Sequence, residues 1–381
     1  MLKKNTLLTP GPTQVPHEAL LAMARPIIHH RTAEFIDIFT RVIEGMKYIF
    51  KTKGDVLAFC SSGTGAMEAS VTNTLSAGDT MLVVRGGKFG ERFTEIGEAY
   101  GINVVNLDIE WGNRATPAQI EKVLKDNPKI KAVFITQCET STGVLTDIEA
   151  IGKVTAKTDA ILVVDAISSL GACEMKVDEW KVDICVVGSQ KALMIPPGVA
   201  FTTVSEKAWK LVEKSKCPKY YYSYTKAKKA METGDMPFTS PVSLIIALDE
   251  SIKLIRAEGI DNVIKRHEIM ARALKAAMTA LGLELYAKYP ADTVTAVKVP
   301  AGVDGNKLIK LLASKYGITI AGGQDELKGK IFRIATLGYA STFDVIIAVS
   351  GLETVLKELG AKIEMGKGVK AAEEVLYSIK N

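Results

Sequence analysis

Cysteine and histidine are scarce in this chain, with five and four copies among 381 residues. Cys60, Cys138, Cys173, Cys185 and Cys217 are odd in number and form no Cys-x-x-Cys pair. That pattern argues against a disulfide framework and against a structural zinc site, so the cysteines are expected to be small core residues in a reducing compartment. Net charge is also small. The 48 Lys plus Arg against 43 Asp plus Glu leave +5, and the bases are scattered among acids, unlike the stripe or patch that binds nucleic acid. Long apolar runs are missing: residues 160–164 are ended at once by Asp165, far short of the ~18 residues needed to cross a bilayer. No signal peptide is expected, because Pro10, Gly11, Pro12 and Pro16 interrupt the N-terminal stretch before an apolar segment develops. A soluble, cytoplasmic protein without membrane or nucleic-acid partners is the expectation.

What is present is a globular composition, 47% hydrophobic and 24% charged, which excludes a disordered chain. The length exceeds the roughly 250 to 300 residues at which a single core stops growing, so a large and a small domain are expected. Short β-branched runs at residues 56–60, 80–85, 103–109, 132–137, 160–165, 184–188 and 199–204 alternate with helical spacing at 65–76, 91–100, 117–126 and 148–158. Such alternation predicts an α/β fold around a mostly parallel seven-stranded sheet. Beyond Pro241 the pattern changes to long helices over 242–258 and 261–281, with shorter strands at 293–299, 318–321 and 331–336. These predict an N-terminal arm (1–15), a large α/β domain (16–258) and a smaller C-terminal α+β domain (259–381).

In an open α/β sheet the ligand lies at the carboxyl ends of the strands, and the residues there carry the chemistry. Residues 61–68, Ser-Ser-Gly-Thr-Gly-Ala-Met-Glu, form a small-residue turn opening a helix, where free N–H groups suit a phosphate. Close packing explains such turns equally well, and neither a Walker loop nor a GxGxxG fingerprint is present. Asp165 directly follows five apolar residues and must either find a cation or bear the cost of burial; a helix N-cap is the plainer reading. Lys191 stands at the next strand end, before Pro196-Pro197-Gly198, where a desolvated amine can act as nucleophile and base. An Asp and a Lys on neighbouring strand ends, facing a phosphate-binding helix start, are what pyridoxal 5′-phosphate (PLP) requires.

At this point the chain resembles the class V aminotransferases of alanine–glyoxylate and serine–pyruvate type. The blocks that carry the resemblance are Thr9-Pro10-Gly11-Pro12-Thr13, Ser62-Gly63-Thr64, Glu139-Thr140-Ser141-Thr142-Gly143, Val164-Asp165, Ser189-Gln190-Lys191-Ala192 and Phe332-Arg333-Ile334. The resemblance implies the PLP-dependent transferase fold type I and a homodimer with active sites at the subunit interface. It implies that Lys191 forms the internal aldimine and shuttles the proton, while Asp165 pairs with the pyridinium. Ser62, Gly63, Thr64 and Gln190 would hold the phosphate, with Thr239 reaching in from the other subunit. Thr140 would approach the ring oxygen and Phe89 would stack on the ring. Gly11 and Arg333 would face the substrate, Arg333 clamping its carboxylate.

Plainer readings stand beside these: Phe89 as core, Thr239 as a cap before Pro241, and residues 29–31 as a solvated turn. Two departures from the pattern are Ala335-Thr336, where relatives often carry glycine, and Met236, where they carry an aromatic hydroxyl. Transamination between a small amino acid, alanine or serine, and glyoxylate or pyruvate is the favoured reading. Arg31, in a segment similar to the one phosphoserine aminotransferases use for phosphate, keeps a dianionic donor such as aspartate or phosphoserine open. A cysteine desulfurase fits less well, since those relatives stack histidine where this chain has Phe89. A nucleotide-binding module without catalysis would need only the turn at 61–68.

Overall fold

The computed structural model describes residues 4–377. Its centre is a seven-stranded sheet in the spatial order Asp55–Phe59, Ala200–Val204, Ile184–Gly188, Ile161–Asp165, Ile130–Thr136, Thr80–Arg85 and Asn103–Asp108. Ala200–Val204 runs antiparallel to both its neighbours, and the other pairings are parallel. The exception follows from connection length. Residues 189–199 link Ile184–Gly188 to Ala200–Val204 without a helix, and parallel pairing needs a crossover of about a dozen residues or more.

The β-branched strands are buried on both faces, as the middle of a doubly covered sheet requires. Successive side chains leave for opposite cores. Leu162 and Val164 join Val133, Ile135 and Val187 under the helices Ala33–Phe50, Ile148–Thr155 and Val242–Glu258. Ile161 and Val163 join Ala132, Phe134 and Val186 under the helices Gly63–Thr74 and Lys88–Ala99. This period-2 division forces Asp165 to the strand end, where the sheet opens onto loops.

The C-terminal half builds a three-stranded antiparallel sheet, Val294–Lys298, Ile331–Ala335 and Ala321–Gly322. Its core joins Phe332 and Ile334 to Met270, Leu274, Leu312, Val349 and Leu352 from the helices Ile260–Ala280, Gly305–Tyr316 and Thr342–Glu358. The stretch expected as one strand over 318–321 is two: Ile318–Thr319 pairs with Thr6–Leu7, and Ala321–Gly322 with Phe332 and Arg333. The N-terminal segment thereby spans the molecule. Leu8 accepts from Ala335 N–H at 2.9 Å, and Thr13 Oγ1 donates to Lys191 O at 2.9 Å.

Candidate active site

Three chain segments meet at Lys191. The Ile184–Gly188 strand ends, Ser189 Oγ donates to Pro196 O at 2.7 Å to close the turn, and Lys191 falls inside it, 9% exposed. Its ammonium donates to Pro10 O, across from Gly11. Gly11 has φ +125°, and a Cβ there would lie within 2.6 Å of Lys191 Cδ and Cε, so only glycine lets this segment pass over the amine. Burial lowers the Lys191 pKa to about 8, with attraction from Asp165 opposing the shift.

Asp165 ends the neighbouring strand, 3% exposed. Its Oδ1 accepts from Ile167 N–H at 2.8 Å, and among the described residues it makes no ion pair. Burial pushes its pKa up to about 7, opposed by the Ile167 bond. Ser62 is the N-cap of the helix Gly63–Thr74, but its side chain caps none of the helix N–H groups, so their positive end faces outward. Gln190 lies at that end: a Cβ built on Gly188 would be 2.9 Å from Gln190 Oε1 and 3.1 Å from Gly63 N. Among the described residues Gln190 Oε1 has no hydrogen-bond partner and is buried.

Arg333 comes from the small sheet and is 6% exposed. Its Nε donates to Gly322 O at 2.8 Å, and its Nη1 to Thr140 O at 2.7 Å and to Gln324 Oε1 at 3.4 Å. Among the described residues, neutral acceptors alone hold this cation. Burial lowers its pKa to about 10, with the charge of Glu139 opposing. Thr140 Oγ1 donates to Ser168 Oγ at 2.9 Å, three residues past Asp165, so the 139–143 turn joins Arg333 to the Asp165 strand end.

Phe89 is half-buried at the start of the helix Lys88–Ala99. Two residues that sequence reasoning missed fix it. Glu139, 3% exposed, accepts from Phe89 N–H at 3.1 Å and Gly90 N–H at 3.0 Å, and also takes the Ser141 hydroxyl. It supplies the cap that Gly87 cannot, and a Cβ on Gly87 would collide with Glu139 Cγ and Cδ at 2.6 Å. Arg92, one turn on, lies with Cζ 5.0 Å from the Phe89 ring centroid. Glu139 sat inside a recognised block without a role, and nothing local marked Arg92.

Not every expected residue joins this group. Arg31 is mostly exposed, and its Nε lies 3.8 Å from Asp235 Oδ2. Thr239, expected to act from the other subunit, is exposed and lines a small cavity with Cys60 and Phe238. Met236 is buried in the large core. A cleft of about 940 Å³ near Lys47, Lys51 and Lys176 contains none of the residues above.

The residues present fit PLP. Among the described residues a buried carboxylate lacks a cation, a desolvated lysine stands on the adjacent strand end, and a helix start offers N–H groups that its N-cap side chain leaves free. A pyridine N–H, an aldehyde and a phosphate supply the complement.

Comparisons with known proteins agree. Residues 7–335 match the family model of the class V aminotransferases, and the chain belongs to that family, whose members are PLP-dependent enzymes. The chain is 43% identical to a protein of Synechococcus sp. described as the small subunit of a soluble hydrogenase, over 99% of each. It is 37% identical to the serine–glyoxylate aminotransferase of Methylorubrum extorquens and 36% to the L-aspartate–glyoxylate aminotransferase of Paracoccus denitrificans, each over 98% of this chain and 96% of the relative. The crystal structure of the Bacillus subtilis ureidoglycine–glyoxylate aminotransferase superposes with a TM-score of 0.94 at 32% identity, covering 98% of both chains. The chain therefore has the aminotransferase fold and is an aminotransferase. No helix among the described residues is long and apolar enough to cross a membrane.

Proposed function

We propose that this chain moves an amino group from a small amino acid, alanine or serine, to glyoxylate or pyruvate in a ping-pong cycle, as a cytoplasmic homodimer. The observation that carries the reading is the pair Asp165 and Lys191. Both are buried on adjacent strand ends, and the pKa of each is displaced toward neutrality by desolvation. The same pair favours transamination over the hydrogenase description of the Synechococcus relative.

PLP, when bound, supplies an electron sink for the pair left at the substrate Cα. Each of the chain's own groups has a separate task. Lys191 Nζ would anchor the cofactor and carry the Cα proton, which a group with a pKa near 8 can take and return at neutral pH. Asp165 accepts from the ring N–H and keeps that nitrogen protonated. Ser62, Gly63, Thr64 and Gln190 hold the phosphate, Thr239 of a second copy completes the cup, Thr140 lies toward the ring oxygen, and Phe89 covers a ring face. Gly11 gives the substrate room beside Lys191, and Arg333 grips its carboxylate with the donors its neutral partners leave free. We place the boundary between the two domains at residues 258 and 259.

The donor class is tested by Arg333 and Arg31. Arg333→Ala removes a buried charge and is expected to lower kcat/KM for alanine and serine about 100-fold or more, the scale of losing one member of a desolvated charge pair. Arg31→Ala should change those values less than about threefold, because its side chain is 75% exposed and faces Asp235. Steady-state rates for alanine, serine, aspartate and phosphoserine against glyoxylate check both. A loss confined to aspartate or phosphoserine on removing Arg31 would move the assignment to a dianionic donor.

A further inference from the structure

The phosphate turn at residues 61–65 contains no basic side chain. A helix start contributes about half a positive charge, whereas a phosphate monoester carries close to two negative ones at neutral pH. Lys191 is committed to the other end of the cofactor under the proposed reading, so the nearest source of a full charge matters. Among the described residues, Arg92 is the basic side chain that hydrogen-bonds the turn. It lies on the helix Lys88–Ala99, half-buried, and its Nη1 donates to Thr64 Oγ1 at 3.2 Å. Among the described residues it has no carboxylate in salt-bridge range, unlike Lys88 and Glu91 earlier on the same helix, which pair with each other. A hydroxyl has one hydrogen and two lone pairs. By accepting from Arg92, Thr64 Oγ1 keeps its hydrogen free for an anion on its other side.

We infer that Arg92 is a positioning residue for the phosphate end of the cofactor: it polarises and orients the Thr64 hydroxyl and supplies the full positive charge that the turn lacks. The inference rests on the PLP reading and adds a residue to it. Arg92 also belongs to the field of the site, since its charge opposes the upward shift at Asp165 and adds to the downward shift at Lys191. The guanidinium over Phe89 offers a rival role, in which Arg92 merely steadies the ring face.

The two roles separate with two aldehydes. The cofactor-free full chain is titrated with PLP and with pyridoxal, which has the same ring and no phosphate, and binding is followed by the visible absorption band. The thermal midpoint of the cofactor-free protein is recorded alongside. Arg92→Gln is expected to weaken PLP about 10- to 100-fold, the range of one charge-assisted hydrogen bond. Pyridoxal should weaken less than about twofold, and the cofactor-free midpoint should be unchanged. Arg92→Lys should recover part of the PLP affinity, and in a Thr64→Val background Arg92→Gln should cost less than in the native chain, because the share carried through the hydroxyl is already gone while the share carried by charge remains. Equal weakening of both aldehydes would overturn the inference in favour of the ring-steadying role, and unchanged PLP affinity would overturn it outright. A native chain that bound neither aldehyde would remove the cofactor reading itself, an outcome distinct from native binding that Arg92→Gln leaves intact.

Discussion

Lys191→Ala is expected to lower multiple-turnover transamination roughly 10⁴-fold or more, because one side chain both anchors the cofactor and moves the Cα proton. Proton transfer by a positioned base contributes about 10² to 10⁴, and the lost anchor adds to it. The variant should still bind PLP noncovalently, since the helix start at Gly63, the Asp165 carboxylate and the Phe89 ring are untouched. Its fold should persist, and the lost amine costs little because it was desolvated, with a backbone carbonyl as its hydrogen-bond partner. The check is a rate measurement with saturating PLP beside an absorbance titration. Turnover without added amine at more than about a hundredth of the native rate would remove Lys191 from the chemistry.

Asp165→Asn should have opposite effects on catalysis and on the stability of the cofactor-free chain. With PLP bound, the carboxylate matters most when charge develops on the ring. The half-reaction with alanine or serine should therefore slow about 10²- to 10³-fold, the cost of removing one preorganised electrostatic partner. Unaltered half-reaction kinetics would exclude the role. Without PLP, the folded-state pKa of about 7 stands above the ordinary 3.8, so the folded chain binds the proton more tightly than the unfolded one. Folding stability from this group is therefore present at acid pH and is lost as pH rises from about 4 through 7. The displacement corresponds to at most about 4 kcal/mol at 1.36 kcal/mol per unit. The cofactor-free Asp165→Asn variant should accordingly melt above the native chain at pH 8 and close to it near pH 4. Calorimetry of both proteins at the two pH values reads the difference.

Much of this site is legible in the sequence because burial and sheet geometry leave few places for polar groups. Ile161-Leu162-Val163-Val164 can be apolar throughout only if both faces of the strand are covered, and a following Asp165 then has to lie at the strand end. Lys191 is legible for the same reason, as a charge inside a turn closed by Pro196, Pro197 and Gly198. The helix Ala33–Phe50 lies outside the segments expected from spacing, although Phe35, Phe39, Val42, Met46 and Ile49 carry its period and Thr32 accepts from Phe35 N–H as its cap. The signal was present there. Glu139 and Arg92 differ in kind. Glu139 meets Phe89 across 50 positions of sequence and Arg92 meets Thr64 across 28, and no local periodicity encodes which loop a strand end will face. Ala200–Val204 was placed correctly while its direction was unspecified, because direction follows from the missing crossover helix and not from the strand's own residues.

The most direct test of the central claim is to add PLP to the purified chain, reduce it with borohydride, and map the modified peptide by mass spectrometry. The account predicts a visible absorption band that reduction abolishes, with one pyridoxyl group per chain carried on Lys191. A chain that took up no PLP, or that carried the label on exposed lysines and left Lys191 free, would contradict it.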